Sequence, residues 1–215
     1  MSGPNGREGH AAFILRMRAR GIDDGGLFSA FETARRADFI APQWRSAAWS
    51  PGMIPIACGE AMEGVDLQCQ AIAALDLTGS ERVLEIGTGT GYTAAVMAQL
   101  GARVVTIDRY RTLVEEASSR LSRIGVSVAV RHADGSRGIL TEGPFDRVIV
   151  WAAFEQLPRH FVEQLVSGGT MVAPLGAPEE RQAIVRLVKV GSRFDREDIG
   201  WARLQPLKSG LGAAL

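Results

Sequence analysis

Several things are scarce in this chain of 215 residues, and each shortage narrows the possibilities. There are two cysteines, Cys58 and Cys69, at no metal or redox spacing, so a reducing cytoplasmic compartment is the default expectation. The three histidines, His10, His132 and His160, are scattered, so no metal centre and no nucleophile triad is expected from them. Neither sign of charge is in excess: 24 Lys and Arg balance 24 Asp and Glu. That balance argues against a strong general attraction for nucleic acid or an anionic membrane. No apolar run approaches the roughly 20 residues needed to span a bilayer. Met1–His10 is polar and contains no signal-peptide core.

What remains is an ordinary globular composition, 46% hydrophobic and 22% charged, long enough for one domain with a real core. Residues 1–10 read as a disordered tail. Residues 11–79 read as an N-terminal helical layer followed by a segment beside the site, and 80–215 as the core, all within one compact domain. In the layer, Ala11–Arg20 is expected to be a helix whose arginines face solvent. A second helix is capped by Asp23 or Asp24, and Phe39–Trp49 supplies packing aromatics. Ile54–Gly59 reads as extended and Met62–Leu75 as helical. Strands are expected at 82–86, 104–107, 126–130, 145–151, 170–175, 182–190 and 201–207. Helices are expected at 92–100, 113–124 and 161–166. The alternation predicts an α/β fold with a doubly wound, mostly parallel seven-stranded sheet.

The chain is organised around Arg82-Val83-Leu84-Glu85-Ile86-Gly87-Thr88-Gly89-Thr90-Gly91-Tyr92, a strand, a glycine loop and a helix start. Glycines there can turn sharply and let backbone approach a ligand. A dinucleotide fingerprint would need a third glycine at position 92, which is tyrosine. The acid before the loop, Glu85, would repel a pyrophosphate but suit an ammonium group, directly or through water. A second acid, Asp108, ends the next strand, where a carboxylate can accept from both hydroxyls of a ribose. A ligand with a ribose, no phosphate and an amino acid end fits both acids, and S-adenosylmethionine is such a ligand. Glu85, Asp108, Asp134 and Trp151 all fall at or just beyond strand carboxyl ends, where open α/β sheets bind ligands.

The stretch Val83–Tyr92 closely resembles the first motif of protein-L-isoaspartate O-methyltransferases. The resemblance continues through His132-Ala133-Asp134-Gly135, Pro144-Phe145-Asp146, Val150-Trp151-Ala152-Ala153, Leu165–Gly169 and Val172–Gly176. It also takes in Arg20-Gly21-Ile22, Arg36–Ile40 and Pro206-Leu207, so it spans nearly the whole chain from about Phe13. It implies a Rossmann-like class I methyltransferase fold, S-adenosylmethionine as methyl donor with S-adenosylhomocysteine as product, and carboxyl methylation of isoaspartyl residues in damaged proteins. The residues it assigns to the cofactor are Glu85, Gly87, Thr88, Gly89, Gly91 and Tyr92 of the loop, Asp108 with Arg109 at the ribose, Asp134 and Gly135 at the adenine edge, and Trp151.

The chain departs from the family at the acceptor. Where the family usually has a Gln-Thr-Ile-Ser-Gln-Pro-like segment, this chain has Glu60-Ala61-Met62-Glu63-Gly64-Val65-Asp66. Two hydroxyls become Ala61 and Glu63, and a bulky Trp151 stands where a small residue is usual. Glu60, Ala61, Glu63 and Trp151 are therefore the acceptor-site candidates. A charged Glu63 about 4 Å from an anionic acceptor would cost roughly 4 kcal/mol at an effective dielectric of 20. Weak activity on isoaspartyl peptides is the expectation. The alternative reading of Glu60, Glu63 and Asp66 is a solvated helix start. The alternative functions are methylation of another acceptor, peptide or small molecule, and cofactor binding without catalysis.

Overall fold

The computed structural model describes residues 6–139 and 141–213. Helices α1 (Gly6–Arg18) and α2 (Gly25–Thr33) open the chain. Gly6–His10 therefore belongs to a helix rather than to the expected tail, and residues 1–5 lie outside the described residues. Asp24 is the cap of α2, its carboxylate accepting from the Leu27 N–H at 2.9 Å. Phe13 and Met17, four residues apart, point inward from α1 and meet Phe28 and Phe31 of α2 in one apolar cluster. Phe39 and Ile40 are buried with them as expected, while Trp44 is 40% exposed.

A two-strand hairpin follows. β1 (Ile54–Pro55) pairs antiparallel with β2 (Ala61–Met62), and Cys58 and Gly59, both at positive φ, carry the chain round between them. Helix α3 (Val65–Ala73) starts only after Gly64, whose backbone lies so close to Pro51 that any Cβ would collide with its carbonyl. The expected helix start at Met62 is thus corrected: pairing with Ile54 holds Met62 extended.

The main sheet contains β3 (Arg82–Ile86), β4 (Arg103–Asp108), β5 (Ala129–His132), β6 (Phe145–Val150), β7 (Leu165–Leu175), β8 (Gln182–Val190) and β9 (Arg193–Ala202), in the order β5-β4-β3-β6-β7-β8-β9. The pairs from β5 across to β7 are parallel, and β7–β8 and β8–β9 are antiparallel. Alternate residues enter different cores: Val83 joins the cluster containing the helical layer, and Leu84 and Ile86 the cluster beneath the opposite face. Helices α4 (Tyr92–Gln99) and α5 (Arg111–Arg123) connect the first strands, α5 burying Leu113, Ala117 and Leu121 at four-residue spacing.

Several expected boundaries move, among them the strand expected at 126–130, which lies at Ala129–His132. The helix before β7 is only α6 (Phe161–Gln164), because Leu165 already pairs with Phe145. Val166–Gly169 then bulges before pairing resumes at Thr170 with Arg147. The last strand lies at 193–202 instead of 201–207, joined to β8 by a tight turn through Gly191 at φ 61°. Pro206 instead makes an isolated bridge to Ala153 near the sheet's carboxyl end.

Candidate active site

The chain runs outward from β3 to β4 and β5, then returns to place β6 on the other side of β3. The order reverses at β3, and the carboxyl ends of β3, β4 and β6 border a cleft. The hairpin and the start of α3 cover it from the N-terminal side. No helix among the described residues is long and apolar enough to cross a membrane. Nor do three or more His, Cys, Asp or Glu side chains among them gather into a metal site.

One half of the cleft is the glycine loop. Its N–H groups are mostly engaged: Gly87 and Thr88 donate to the Ile107 carbonyl, Gly89 to the Asp108 carboxylate at 3.0 Å and Gly91 to the Thr88 carbonyl. The loop is therefore no nest for phosphate. Gly87, Thr88 and Gly89 line the cleft, and a Cβ on Gly89 would meet nothing nearer than Ile56 at 3.5 Å. Gly91 does not line it. Its φ is 86°, and a Cβ there would press on Ala117 of α5 at 3.1 Å, so it serves helix packing rather than ligand approach. Tyr92 borders the cleft, but its hydroxyl donates to the Phe31 carbonyl and its ring packs edge-on against Phe31 and Phe39.

The four strand-end residues separate on inspection. Asp108 is on the cleft wall, its oxygens accepting from the N–H groups of Gly89 and Tyr110 at 3.0 Å each. Burial raises its pKa against those hydrogen bonds. Each oxygen keeps a lone pair for a further donor. Arg109 lines the cleft too, with its Nε and one terminal nitrogen buried and unpartnered among the described residues. Glu85 is wholly buried and not on the wall. It accepts from Thr93 at 2.5 Å, Thr106 at 2.7 Å and the Trp151 indole N–H at 2.9 Å. Glu85, expected to suit an ammonium group directly or through water, accepts from three internal donors, one of them the Trp151 indole that it ties in place. Burial raises its pKa to about 7 against those bonds. Gly135 lines the cleft, whereas Asp134 does not, accepting instead from Ser136 N–H at 2.8 Å and Gly210 N–H at 2.7 Å. Trp151 is on the wall, packed over Gly87.

The other half is the acceptor candidate. Glu60, Ala61, Glu63 and Trp151 all line it, and so do Met62 and Gln68, which the sequence did not single out. Gln68 on α3 is 1% exposed, with an Oε1 that has no partner among the described residues. Nothing in its sequence neighbourhood distinguishes it from a surface glutamine.

The charges expected here are not all present. Asp66 is turned away from the cleft, buried against Arg16 at 2.8–3.1 Å and Arg20 at 2.5 Å. Burial opposes its charge, but the bonds from the two arginines prevail and hold its pKa low. The expected solvent face of arginines on α1 is thus, for Arg16 and Arg20, a tie to α3. Glu63 is almost fully buried, and desolvation raises its pKa to about 8. The upward shift weakens the repulsion expected from it near neutral pH. Neither Glu63 nor Asp66 is a solvated helix start. Burial raises the pKa of Glu60 as well, against a hydrogen bond from Tyr110.

The family model for protein-L-isoaspartate(D-aspartate) O-methyltransferase (PCMT) matches residues 8–209. The chain belongs to that family. A protein-L-isoaspartate O-methyltransferase of Rhizobium meliloti is 46% identical over 194 residues, covering 90% of this chain and 95% of the relative. Another from Xanthobacter autotrophicus is 45% identical over 205 residues, covering 95% and 94%. Among solved structures, a Plasmodium falciparum member crystallised with S-adenosyl-L-homocysteine superposes with a TM-score of 0.80. It is 19% identical and covers 93% of this chain and 98% of its own, a likeness of fold. Membership makes this chain an O-methyltransferase that uses S-adenosylmethionine.

Proposed function

We propose that the cleft is the site where a carboxyl group of an isoaspartyl residue, in a protein or peptide, is methylated from S-adenosylmethionine. The observation that carries this reading is the division of one cleft into two unlike halves. The loop half has Asp108 on its wall and its N–H groups already satisfied, which fits a ligand bearing a ribose and no phosphate. The other half is largely apolar, with Ile56, Met62 and Trp151, and carries the few polar groups Glu60, Glu63, Gln68 and Thr90.

When bound, S-adenosylmethionine supplies an electrophilic methyl group with a good leaving group, so a carboxylate acceptor needs no base. Asp108 would take the ribose hydroxyls with its remaining lone pairs. Gly87, Thr88 and Gly89 would pass alongside, and Gly135 would border the adenine, with Asp134 beside it in the chain. Tyr92 would hold the loop against the helical layer. The acceptor half strips water from the incoming carboxylate and aligns it, the two contributions by which a protein speeds such a transfer. Trp151 is held flat to the wall by Glu85, so it shapes the acceptor space without swinging into it.

Calorimetry with S-adenosylhomocysteine is expected to give one site per chain. Asp108→Ala should weaken it by about 1–3 kcal/mol, roughly 5- to 150-fold, through loss of charge-assisted bonds. A methanol-release assay on an isoaspartyl peptide should report turnover at neutral pH. Tight S-adenosylhomocysteine binding without turnover of that peptide would refute the acceptor and leave the cofactor half intact.

A further inference from the structure

Glu63 is an acid in an unusual place. It leaves β2, precedes the Gly64 contact with Pro51, and so is fixed between a strand end and the first turn of α3. It lines the cleft and is 9% exposed, and its carboxyl receives no hydrogen bond from another side chain among the described residues. One buried guanidinium lies nearby, Arg36 of the turn 36–38. It donates to the main-chain carbonyls of Ala48 at 2.8 Å and Glu63 at 2.5 Å, lies over the Tyr92 ring and has a buried Nε without a partner among the described residues; its charge favours ionisation of Glu63, but burial outweighs it. The other charges acting on the carboxyl are those of Glu85 on β3 and Glu60 ahead of β2, both of which disfavour its ionisation. Asp66, on the same helix as Gln68, is neutralised by Arg16 and Arg20.

Gln68 lines the same wall, but its unpartnered atom is Oε1, an acceptor that cannot hold a carboxylate. Glu63 is thus the buried group on this wall that can give a proton to an incoming anion, and its own N–H is its one internal hydrogen-bond partner among the described residues.

We propose that Glu63, in its neutral carboxyl form, binds the acceptor's carboxylate by donating a hydrogen bond to it. The proposal rests on the carboxyl-methylation reading above. Two carboxyl groups in one water-poor pocket cannot both be ionised cheaply, and a shared proton turns their repulsion into a hydrogen bond. Burial has already raised the pKa of Glu63 to about 8, and the approach of a carboxylate raises it further. Acceptor binding therefore takes up a proton wherever free Glu63 has begun to lose one. Conversion of the carboxylate to a neutral ester removes the repulsion that kept the proton in place, so the product is held less firmly than the substrate.

The test is calorimetry of an isoaspartyl peptide binding to the protein saturated with S-adenosylhomocysteine, from pH 6 to 9, in buffers of different ionisation enthalpy. The wild type should take up almost no proton at pH 6 and approach about one proton per peptide at pH 9. Its affinity should fall toward about tenfold per pH unit above about pH 8. Glu63→Gln, permanently neutral and still a donor, should bind S-adenosylhomocysteine normally and the peptide without proton uptake and with a flat pH profile. Glu63→Ala should bind the peptide more weakly at pH 6. Peptide binding by the wild type without proton exchange overturns the proposal, as does undiminished uptake by Glu63→Gln. Should Glu63→Gln fail to bind S-adenosylhomocysteine, the wild-type proton count decides alone. If the loaded wild type binds no isoaspartyl peptide at any pH, the carboxyl-methylation reading falls and the proposal falls with it.

Discussion

The two halves of the cleft are built on opposite principles. On the loop side the polar groups are closed upon one another. Glu85 takes three donors, Thr88 and Thr106 share a hydrogen bond at 2.7 Å, and the loop amides are tied to β4 and Asp108. On the acceptor side Gln68 is buried with an unpartnered Oε1, and Glu63 is buried with no side-chain partner among the described residues. The first arrangement makes a rigid cradle whose shape is set before anything binds. The second keeps polar capacity in reserve in a dry pocket, which costs stability and marks the place where a partner contributes.

The largest effect is expected from opening the closed side. Glu85→Ala strands the donors of Thr93, Thr106 and Trp151 in the interior and leaves a void between β3, β4 and β6. A loss of about 3–5 kcal/mol follows, the order seen for breaking a buried network. Denaturant unfolding measures it. A loss under about 1 kcal/mol would mean that the three donors find water, and that the closed side is no more closed than the other.

The pH dependence separates the halves as well. Glu85 and Glu63 have folded pKa values raised above the ordinary carboxylate range, to about 7 and about 8. Groups of that kind contribute stability that is complete below the unfolded value and is lost as pH rises through the folded value. Thermal unfolding should therefore weaken between about pH 5 and pH 9, and Glu63→Gln should flatten the upper part of that decline.

How much of this was legible beforehand depends on the distance over which each feature is determined. Strands 82–86 and 182–190 and the helix from Tyr92 follow from local apolar pattern and turn residues, and the structure has them within a residue. Asp108 follows from its place at a strand end. The errors are long-range. Met62 is extended because Ile54 pairs with it, and Leu165 because Phe145 does. Glu85 carries the motif's acid, yet its donors come from a strand, a helix and a loop that no local reading assembles. The charge state of Glu63 depends on being covered by a helical layer that includes Arg36, 27 residues away. The neutralisation of Asp66 depends on Arg16 and Arg20, 50 and 46 residues away.

That last pair gives the next test of the comparison. The salt bridges to Asp66 fasten α1 to α3, and α3 carries Gln68. Both arginines are partly exposed, with side chains 32% and 41% accessible, so solvent screening discounts the ion pairs. Asp66→Asn should cost about 1–2 kcal/mol of stability near neutral pH. The Asp66 pKa is held low in the folded protein, so its contribution is present above the ordinary aspartate value and is lost as pH falls through the folded value. The gap between wild type and variant should therefore close in acid. Peptide affinity should drop more than S-adenosylhomocysteine affinity, because only the acceptor half is attached to α3. Equal losses for both ligands would join the halves into one unit.

The smallest effects come from dividing the closed side against itself at two glycines. Gly89 and Gly91 both have positive φ, 51° and 86°, so alanine at either costs on the order of 1 kcal/mol for conformation alone. They differ in what a Cβ would meet. At Gly91 it presses on Ala117 at 3.1 Å and Leu121 at 3.3 Å, forcing α4 and α5 apart by a few tenths of an ångström. At Gly89 it enters the cleft, with Ile56 at 3.5 Å as its nearest neighbour. Gly91→Ala should therefore be the less stable protein, by up to about 1 kcal/mol more, and should keep its S-adenosylhomocysteine affinity once folded. Gly89→Ala should unfold later than Gly91→Ala and bind the ligand more weakly, because its methyl group occupies space along the cradle. Thermal unfolding with and without S-adenosylhomocysteine reads both quantities from one pair of proteins. If the ligand raises the melting temperature of Gly89→Ala as much as that of the wild type, the cradle does not pass close to Gly89. Gly89 and Gly91 would then both be there for folding, and neither for the ligand.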